Sequence, residues 1–223
     1  MVAEHLAKLG KTGGSMLDVG AGEGRFCRTF LSRGFAVTPF EINAGLAARL
    51  ERETGQTVVT EPFELWAPEH LQRYDVIVIS QVLEHVVDCS RWLAAARGLL
   101  APNGVLFVSV PSFESLLVRI IGAAEGNINP PTHLNFFTRQ SLSRMAVDSG
   151  LTLIHQHTPN VLPPLAAMDA AAEALSPLPR PLGWAAGLFA WAGLGLTAPL
   201  GMGRFVHCYF TAAAGTSEGD PAS

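Results

Sequence analysis

Carboxylates and glycines gather near the start of the chain, in a pattern that suits a nucleoside. Asp18 precedes the run Gly20-Ala21-Gly22-Glu23-Gly24, and Glu41 follows about twenty residues later. Glycines lack Cβ, so their backbone turns tightly and lets a ligand lie against it. A carboxylate only accepts hydrogen bonds, and both hydroxyls of a ribose can donate to Glu41. The pattern predicts a nucleoside site, and the alternative for Glu41 is a solvated acid at a strand end.

A second group of polar side chains could move a proton. Gln81, Glu84 and His85 come directly after the apolar residues 76–80, and His133 lies further along the chain. Histidine gains and loses a proton near neutral pH, which suits a general base. We expect His85 and His133 to be catalytic. The alternative for His85 is a structural hydrogen bond that fixes its loop, and His133 could instead contact the substrate.

The elements that carry these residues alternate between apolar runs and helical patterns, which is typical of an α/β fold. Residues 16–19 predict a buried strand, and a helix starts directly after the glycines. The second strand ends at Phe40, so Glu41 lies at its carboxyl end, where ligands bind in open α/β sheets. Seven strands are predicted, over residues 16–19, 35–40, 56–60, 76–80, 105–110, 151–158 and 205–211.

The glycine spacing separates two classes of nucleotide-binding loop. The dinucleotide pattern G-x-G-x-x-G would need a glycine where Arg25 stands. The form found here, D-x-G-x-G-x-G from Asp18 to Gly24, resembles the first motif of class I S-adenosylmethionine (SAM) dependent methyltransferases. The segments DVIVISQVLEHV and LLAPNGVLFVSVPS resemble their later motifs. The resemblance covers residues 16–112, extends loosely to 150, and is closest to the branch that includes ubiquinone-pathway O-methyltransferases.

This resemblance implies a Rossmann-like, doubly wound, seven-stranded sheet that is mostly parallel and has an antiparallel last strand. It implies SAM as cofactor and methyl transfer to a small, apolar acceptor, most simply at oxygen. Gly20, Gly22 and the loop backbone would take the methionine end, while Asp18 orders the loop. The cofactor-binding residues implied are Asp18, Gly20, Ala21, Gly22, Glu41, Ile42, Glu61, Phe63 and Gln81. Surface charge and core packing are the alternatives for Glu61 and Phe63.

A metal is the next question that the resemblance raises. Some relatives hold a divalent ion with the motif E-x-x-E-H and a later histidine. This chain has Gln81, Glu84, His85 and His133 at those places, so the first acid is an amide. Because this ligand set has one negative charge fewer, it would bind a hard cation more weakly. We therefore expect no resident metal.

Two other classes of function stay open. A SAM-binding subunit or regulator without turnover would need the same glycines and Glu41. A nicotinamide-dependent oxidoreductase is disfavoured by the position of Gly24, one residue too early for a dinucleotide loop. A panel of cofactors separates the oxidoreductase from the other two.

The composition of the chain indicates which partners and which cellular compartment to expect. Net charge is -4, only 15% of residues are charged, and no basic run is present, so binding to nucleic acid is not expected. Cys27, Cys89 and Cys208 lie far apart, which is typical of buried thiols in a reducing compartment. The first residues lack the pattern of a signal peptide. These features predict a cytoplasmic protein, and its oligomeric state is open.

The 223 residues predict a single domain over residues 1–215, with a disordered tail at 216–223. Residues 113–135 and 159–204 are expected to be lid or substrate-side insertions. No charged residue occurs from Pro181 to Gly203. We interpret this stretch as buried or lid helices, or as a surface (182–202) that touches membrane or an apolar substrate. A membrane span is disfavoured by its Ala and Gly content, by Pro199 and by the strand that follows.

Overall fold

A six-stranded sheet forms the centre of the computed structural model, which describes residues 2–122, 125–159 and 199–213. Its strand order is β2-β1-β3-β4-β6-β5. β6 runs antiparallel to β4 and β5, and the other neighbouring strands are parallel. The strands are β1 Gly14–Val19, β2 Phe35–Phe40, β3 Tyr74–Ser80, β4 Leu100–Pro111, β5 Leu151–His157 and β6 Phe205–Ala212.

Helices connect the strands, and several begin at the caps that their sequences supply. The side chains of Asn43, Asp88 and Thr138 each accept a hydrogen bond from a backbone N–H in the first turn that follows. The helices are α1 Val2–Lys8, α2 Arg25–Leu31, α3 Ala44–Thr54, α4 Phe63–Trp66, α5 Cys89–Leu99, α6 Leu116–Ile121 and α7 Arg139–Asp148. Two short 3-10 turns span Ala67–His70 and Leu83–His85.

Helices cover both faces of the sheet, which explains why β3 is apolar along most of its length. Val76 and Val78 join one core with residues of α1 and α2. Ile77 and Ile79 join the other core with residues of α5 and α7. All four side chains are fully buried. The α/β fold with helices on both faces is therefore confirmed.

The parallel strands bring the chemistry-bearing residues to one edge. β1, β2 and β3 run in the same direction, so their carboxyl ends meet there. Gly20, Glu41 and Gln81 directly follow these three strands. The sheet thus gathers residues from distant parts of the sequence into one site.

The predicted strand over residues 56–60 does not form, so the described sheet has six strands and the prediction of seven is not confirmed. Only one bridge forms, between Phe40 and Val59. The Glu41 N–H donates to the Val59 carbonyl at 2.9 Å, and the Val59 N–H donates to the Pro39 carbonyl at 2.9 Å. Gln56 and Thr60 at the two ends are not buried, and the segment pairs with β2 at Val59 alone.

Two expected insertions can be located only in part. Residues 113–122 and 125–135 of the first insertion are described, and they include α6, which Ser115 caps at 3.2 Å from the Val118 N–H. Most of the second insertion, including Trp184, Leu188 and Trp191, and the expected tail at 216–223 lie outside the described residues. Within the ranges that are described, no helix has the length and apolar character needed to cross a membrane.

Four histidines form an aromatic cluster between α1 and the sheet. His5 stacks on His155 with ring centroids 4.3 Å apart, and His157 meets His207 at 5.1 Å. Burial, followed by the neighbouring histidines, lowers the pKa of His157 to about 4. Burial, His157 and Arg25 lower the pKa of His207 to about 3. These two imidazoles are therefore neutral in the folded protein at neutral pH.

The free energy of unfolding should fall as the pH is lowered, because His157 and His207 of this cluster are neutral in the folded protein. An unfolded histidine takes up a proton near pH 6.5, whereas folded His207 does so near 3, so stability is lost as the pH falls between these values. We expect wild type to lose about 1–2 kcal/mol more than His207→Gln between pH 7 and pH 5. Urea unfolding at both pH values measures the loss in each protein. Subtracting one loss from the other cancels the contribution of the titratable groups that both proteins share. Equal losses in the two proteins would contradict the account.

Candidate active site

The glycine loop connects β1 to α2 and leaves space beside Gly22. Gly20, Gly22 and Gly24 have positive φ angles of 71°, 53° and 77°. A Cβ on Gly20 would collide with Val82, and one on Gly24 with Leu50. A Cβ on Gly22 would meet nothing nearer than a carbonyl oxygen at 3.9 Å. Gly20 and Gly24 thus permit tight packing, while Gly22 leaves room where a ligand fits.

Glu41 is fixed against this loop by two backbone groups. Its Oε2 accepts a hydrogen bond from the Gly22 N–H at 2.8 Å, and its Oε1 accepts one from the Asn43 N–H at 2.8 Å. The side chain is 8% exposed. Each carboxylate oxygen has two acceptor positions, so each can accept one further bond. Glu41 is therefore held in place and keeps the capacity to accept from a diol.

Asp18 lies beneath the loop and connects β1 to α2. Its Oδ2 accepts a hydrogen bond from the Cys27 N–H at 2.9 Å, in the first turn of α2. Burial raises the pKa of Asp18 to about 7, and the Cys27 N–H opposes this rise. The side chain is 1% exposed. Its direct contact is thus with the helix that follows the loop.

Gln81 lies at the end of β3 in an uncommon backbone conformation, with a φ of 58°. Its N–H donates to the Ser109 carbonyl at 2.8 Å, and its Nε2 lies 3.2 Å from Ser109 Oγ. Both residues line a cavity of about 390 Å³ that α1 and α2 border. We refer to it as the α2 cavity. Gln81 thus connects the carboxyl edge of the sheet with this cavity.

The remaining predicted cofactor residues differ in exposure. Ile42 is 71% exposed beside Glu41, and Glu61 is also exposed, whereas Ala21 is buried in the loop. Phe63 is 1% exposed, and its ring packs in the core against Phe40 and Trp92. The structure therefore supports the core-packing alternative for Phe63, because its ring offers no free face to a ligand.

The structure brings Glu84, His85 and His133 together. One ligand atom from each lies within 4.8 Å of the others, and the histidine rings are 4.7 Å apart. Glu84 is 1% exposed, and its Oε2 has no hydrogen-bond partner among the described residues. Burial raises the pKa of Glu84 to about 7, against the effects of its backbone hydrogen bond and His85. These three groups could share a proton or hold a cation.

Backbone carbonyls fix the tautomers of both histidines. His85 Nδ1 lies 2.8 Å from the Thr132 carbonyl, and His133 Nδ1 lies 2.7 Å from the Asn127 carbonyl. A carbonyl oxygen only accepts, so each Nδ1 must carry a hydrogen. In the neutral imidazole the lone pair is then on Nε2. Each Nε2 can therefore accept a proton or bind a metal.

The loop that carries His133 is tied to the rest of the molecule by an ion pair that sequence reasoning missed. Glu125, 3% exposed, pairs with Arg204 at 2.6 Å, and its Oε2 accepts from the Asn127 N–H at 2.7 Å. The N–H groups of Leu134 and Asn135 donate to the Glu84 carbonyl. No spacing signal links Glu125 to Arg204, because they are far apart in sequence.

The ligand atoms of Glu84, His85 and His133 indicate which kind of metal ion this group could bind. Two imidazoles and one carboxylate suit a transition metal better than Mg²⁺ or Ca²⁺, which prefer oxygen ligands. Gln81, at the place of the first acid in the motif E-x-x-E-H, hydrogen-bonds to Ser109 through its amide nitrogen. The expectation of no resident metal stays a prediction.

Comparison with known proteins agrees with this geometry. The family model described as Methyltransferase domain matches residues 2–156. A ubiquinone biosynthesis O-methyltransferase of Psychrobacter arcticus is 33% identical over 165 residues, which cover 67% of this chain and 64% of the relative. The match thus spans slightly less than two thirds of that relative.

Solved structures share the fold. A SAM-dependent methyltransferase from Archaeoglobus fulgidus aligns with a TM-score of 0.66 at 14% identity, over 94% of this chain and 90% of that one. A Burkholderia thailandensis 1,6-didemethyltoxoflavin-N1-methyltransferase, solved with S-adenosylhomocysteine, aligns with a TM-score of 0.59 at 19% identity, over 96% and 77%. The chain belongs to the methyltransferase domain family.

Proposed function

We propose that this protein transfers a methyl group from SAM to an oxygen atom of a small, apolar acceptor. The observation that carries the proposal is the Glu41 carboxylate, held 2.8 Å from the Gly22 N–H at the open side of the glycine loop. When bound, SAM supplies the electrophilic methyl group. The protein has to hold donor and acceptor in line, which can contribute about 7–11 kcal/mol to lowering the barrier.

In this proposal each segment of the site contacts one part of the cofactor. Glu41 accepts from the ribose hydroxyls, with Ile42 and Glu61 bordering the adenine. The backbone at Gly20, Ala21 and Gly22 takes the methionine end, and Gln81 forms the floor near it. Asp18 acts through the loop, because its direct bond goes to the first turn of α2.

His133 and His85 are proposed to accept the proton of the acceptor hydroxyl. Their Nδ1–H groups are engaged by carbonyls, so Nε2 is the basic atom on each ring. An acceptor hydroxyl that loses its proton to Nε2 becomes a better nucleophile. Glu84, buried beside them, would stabilise the imidazolium that forms.

The acceptor class is supported by the relatives' names. The curated relatives are named as O-methyltransferases of ubiquinone biosynthesis at about 30% identity, which supports transfer to oxygen and a quinone-like acceptor. An apolar acceptor of this kind is consistent with the uncharged stretch 181–203. We propose a cytoplasmic protein in which residues 182–202 either form buried or lid helices or contact the membrane peripherally.

Loss of either histidine should separate turnover from cofactor binding. We expect His133→Asn and His85→Asn to methylate alkylated catechols at least about 100-fold more slowly, because general base catalysis contributes at least that factor. Their affinity for S-adenosylhomocysteine should match wild type. Mass spectrometry of the methylated product and calorimetric titration measure the two quantities.

His70→Asn is the matched control, since His70 stacks on Trp66 and lies outside the site. It should leave the rate unchanged. Unchanged rates in His85→Asn and His133→Asn would contradict the proposed bases. Binding of S-adenosylhomocysteine without product from any catechol or phenol would favour a SAM-binding protein without turnover.

Glu125 should matter for the position of His133. Glu125→Gln keeps the size of the side chain but removes the charge that faces Arg204 at 2.6 Å. We expect the free energy of unfolding to fall by about 2 kcal/mol, the scale of a hydrogen bond to a charged group. Turnover should fall while binding of S-adenosylhomocysteine stays constant. Urea unfolding and initial rates measure both effects, and a wild-type rate would show that the loop does not need this pair.

A further inference from the structure

Two arginines line the α2 cavity, Arg25 and Arg33. Arg33 donates from Nη1 to the Thr29 carbonyl at 3.1 Å, and Arg25 has not been given a role. The cavity is lined on the sheet side by Gln81, Ser109 and His207, and on the helix side by Arg25 and Phe26. It is separate from the group formed by Glu84, His85 and His133, none of which lines it. Gln81 is shared between the α2 cavity and the carboxyl edge of the sheet.

Arg25 is available to a ligand. It directly follows Gly24, and its guanidinium carbon lies 5.0 Å from the centroid of the Phe26 ring. Across residues 2–122, 125–159 and 199–213, its side chain makes no hydrogen bond or ion pair. By contrast, Arg28 on the same helix pairs with Glu53 at 3.0 Å. Arg25 is thus an exposed residue that lines the cavity, and no acid within the described ranges pairs with its charge.

The charge balance of the cavity favours an anion. The described residues that line it include no aspartate or glutamate. Burial, His157 and Arg25 hold the pKa of the neighbouring His207 far below its usual range, so that imidazole is neutral. A guanidinium in such a setting binds a carboxylate through a short, charge-assisted pair of hydrogen bonds.

The position of the cavity identifies the anion. In the function proposed above, the methionine end of the cofactor lies along Gly20–Gly22 and above Gln81, and that end carries a carboxylate. Arg25 follows the same loop and shares the cavity with Gln81. We propose that Arg25 binds the carboxylate of the cofactor, so that the α2 cavity receives the amino-acid end of SAM. This inference rests on the proposed function.

Calorimetric titration with two ligands tests the assignment. S-adenosylhomocysteine carries the carboxylate, and 5′-methylthioadenosine lacks the whole amino-acid end. We expect Arg25→Gln to weaken the affinity for S-adenosylhomocysteine about tenfold or more and to leave that for 5′-methylthioadenosine unchanged. Arg28→Gln is the matched control, because Arg28 lies on the same helix but pairs with Glu53 and does not line the cavity. This variant should bind both ligands as wild type does.

Two results would overturn the inference. One is an affinity of Arg25→Gln for S-adenosylhomocysteine within twofold of wild type, as expected if the guanidinium meets an anionic group of the acceptor instead. The other is an equal loss of affinity for both ligands, which would place Arg25 elsewhere than at the carboxylate. Failure of the cofactor assignment looks different, because wild type itself would then bind neither ligand. A protein that binds the cofactor without turnover would still show the loss of affinity in Arg25→Gln but would form no methylated product.

Discussion

The hydrogen bond from the Gly22 N–H to the Glu41 carboxylate is the interaction on which the proposed cofactor site depends. It joins the turn after β1 to the residue after β2, and the second oxygen of Glu41 holds the start of α3 through Asn43. The Glu41 N–H in turn donates to Val59. The carboxylate of Glu41 therefore holds the backbone at Gly22 and Asn43, and its N–H holds the backbone at Val59.

The residues that follow β3 lie on two sides of the site. Gln81 turns back toward Ser109 and the α2 cavity. The next turn carries Glu84 and His85 toward the loop that holds His133. Short backbone links to the Glu84 carbonyl and the Glu125–Arg204 pair hold this loop. In the proposed function, binding of the cofactor and activation of the acceptor thus depend on different contacts.

Much of this arrangement follows from local sequence patterns. The glycine loop, Glu41 and the buried strand β3 are local signals, because each depends on residue type and near neighbours. The third predicted strand shows the limit of such signals: residues 56–60 have strand-forming side chains, yet the backbone pairs only at Val59. Strand propensity could not reveal that the two ends of the segment would stay unburied.

Contacts between distant residues could not be predicted. Glu125 pairs with Arg204, and His5 stacks on His155, through folding of the whole chain. Phe63 is among the residues predicted to bind the cofactor, but it begins α4 and its ring is buried because Phe40 and Trp92 pack against it. In each case burial by partners far along the chain decides the outcome, and no local pattern carries that information.

Thermal unfolding of wild type and Glu41→Gln with SAM, S-adenosylhomocysteine, NAD or NADP tests the central claim most directly. A ligand at a hundred times its dissociation constant stabilises the folded state by about 2.7 kcal/mol, which shifts the unfolding midpoint visibly. The account predicts that the two adenosyl ligands raise the midpoint of wild type but not of Glu41→Gln. A shift with a nicotinamide cofactor alone would contradict it.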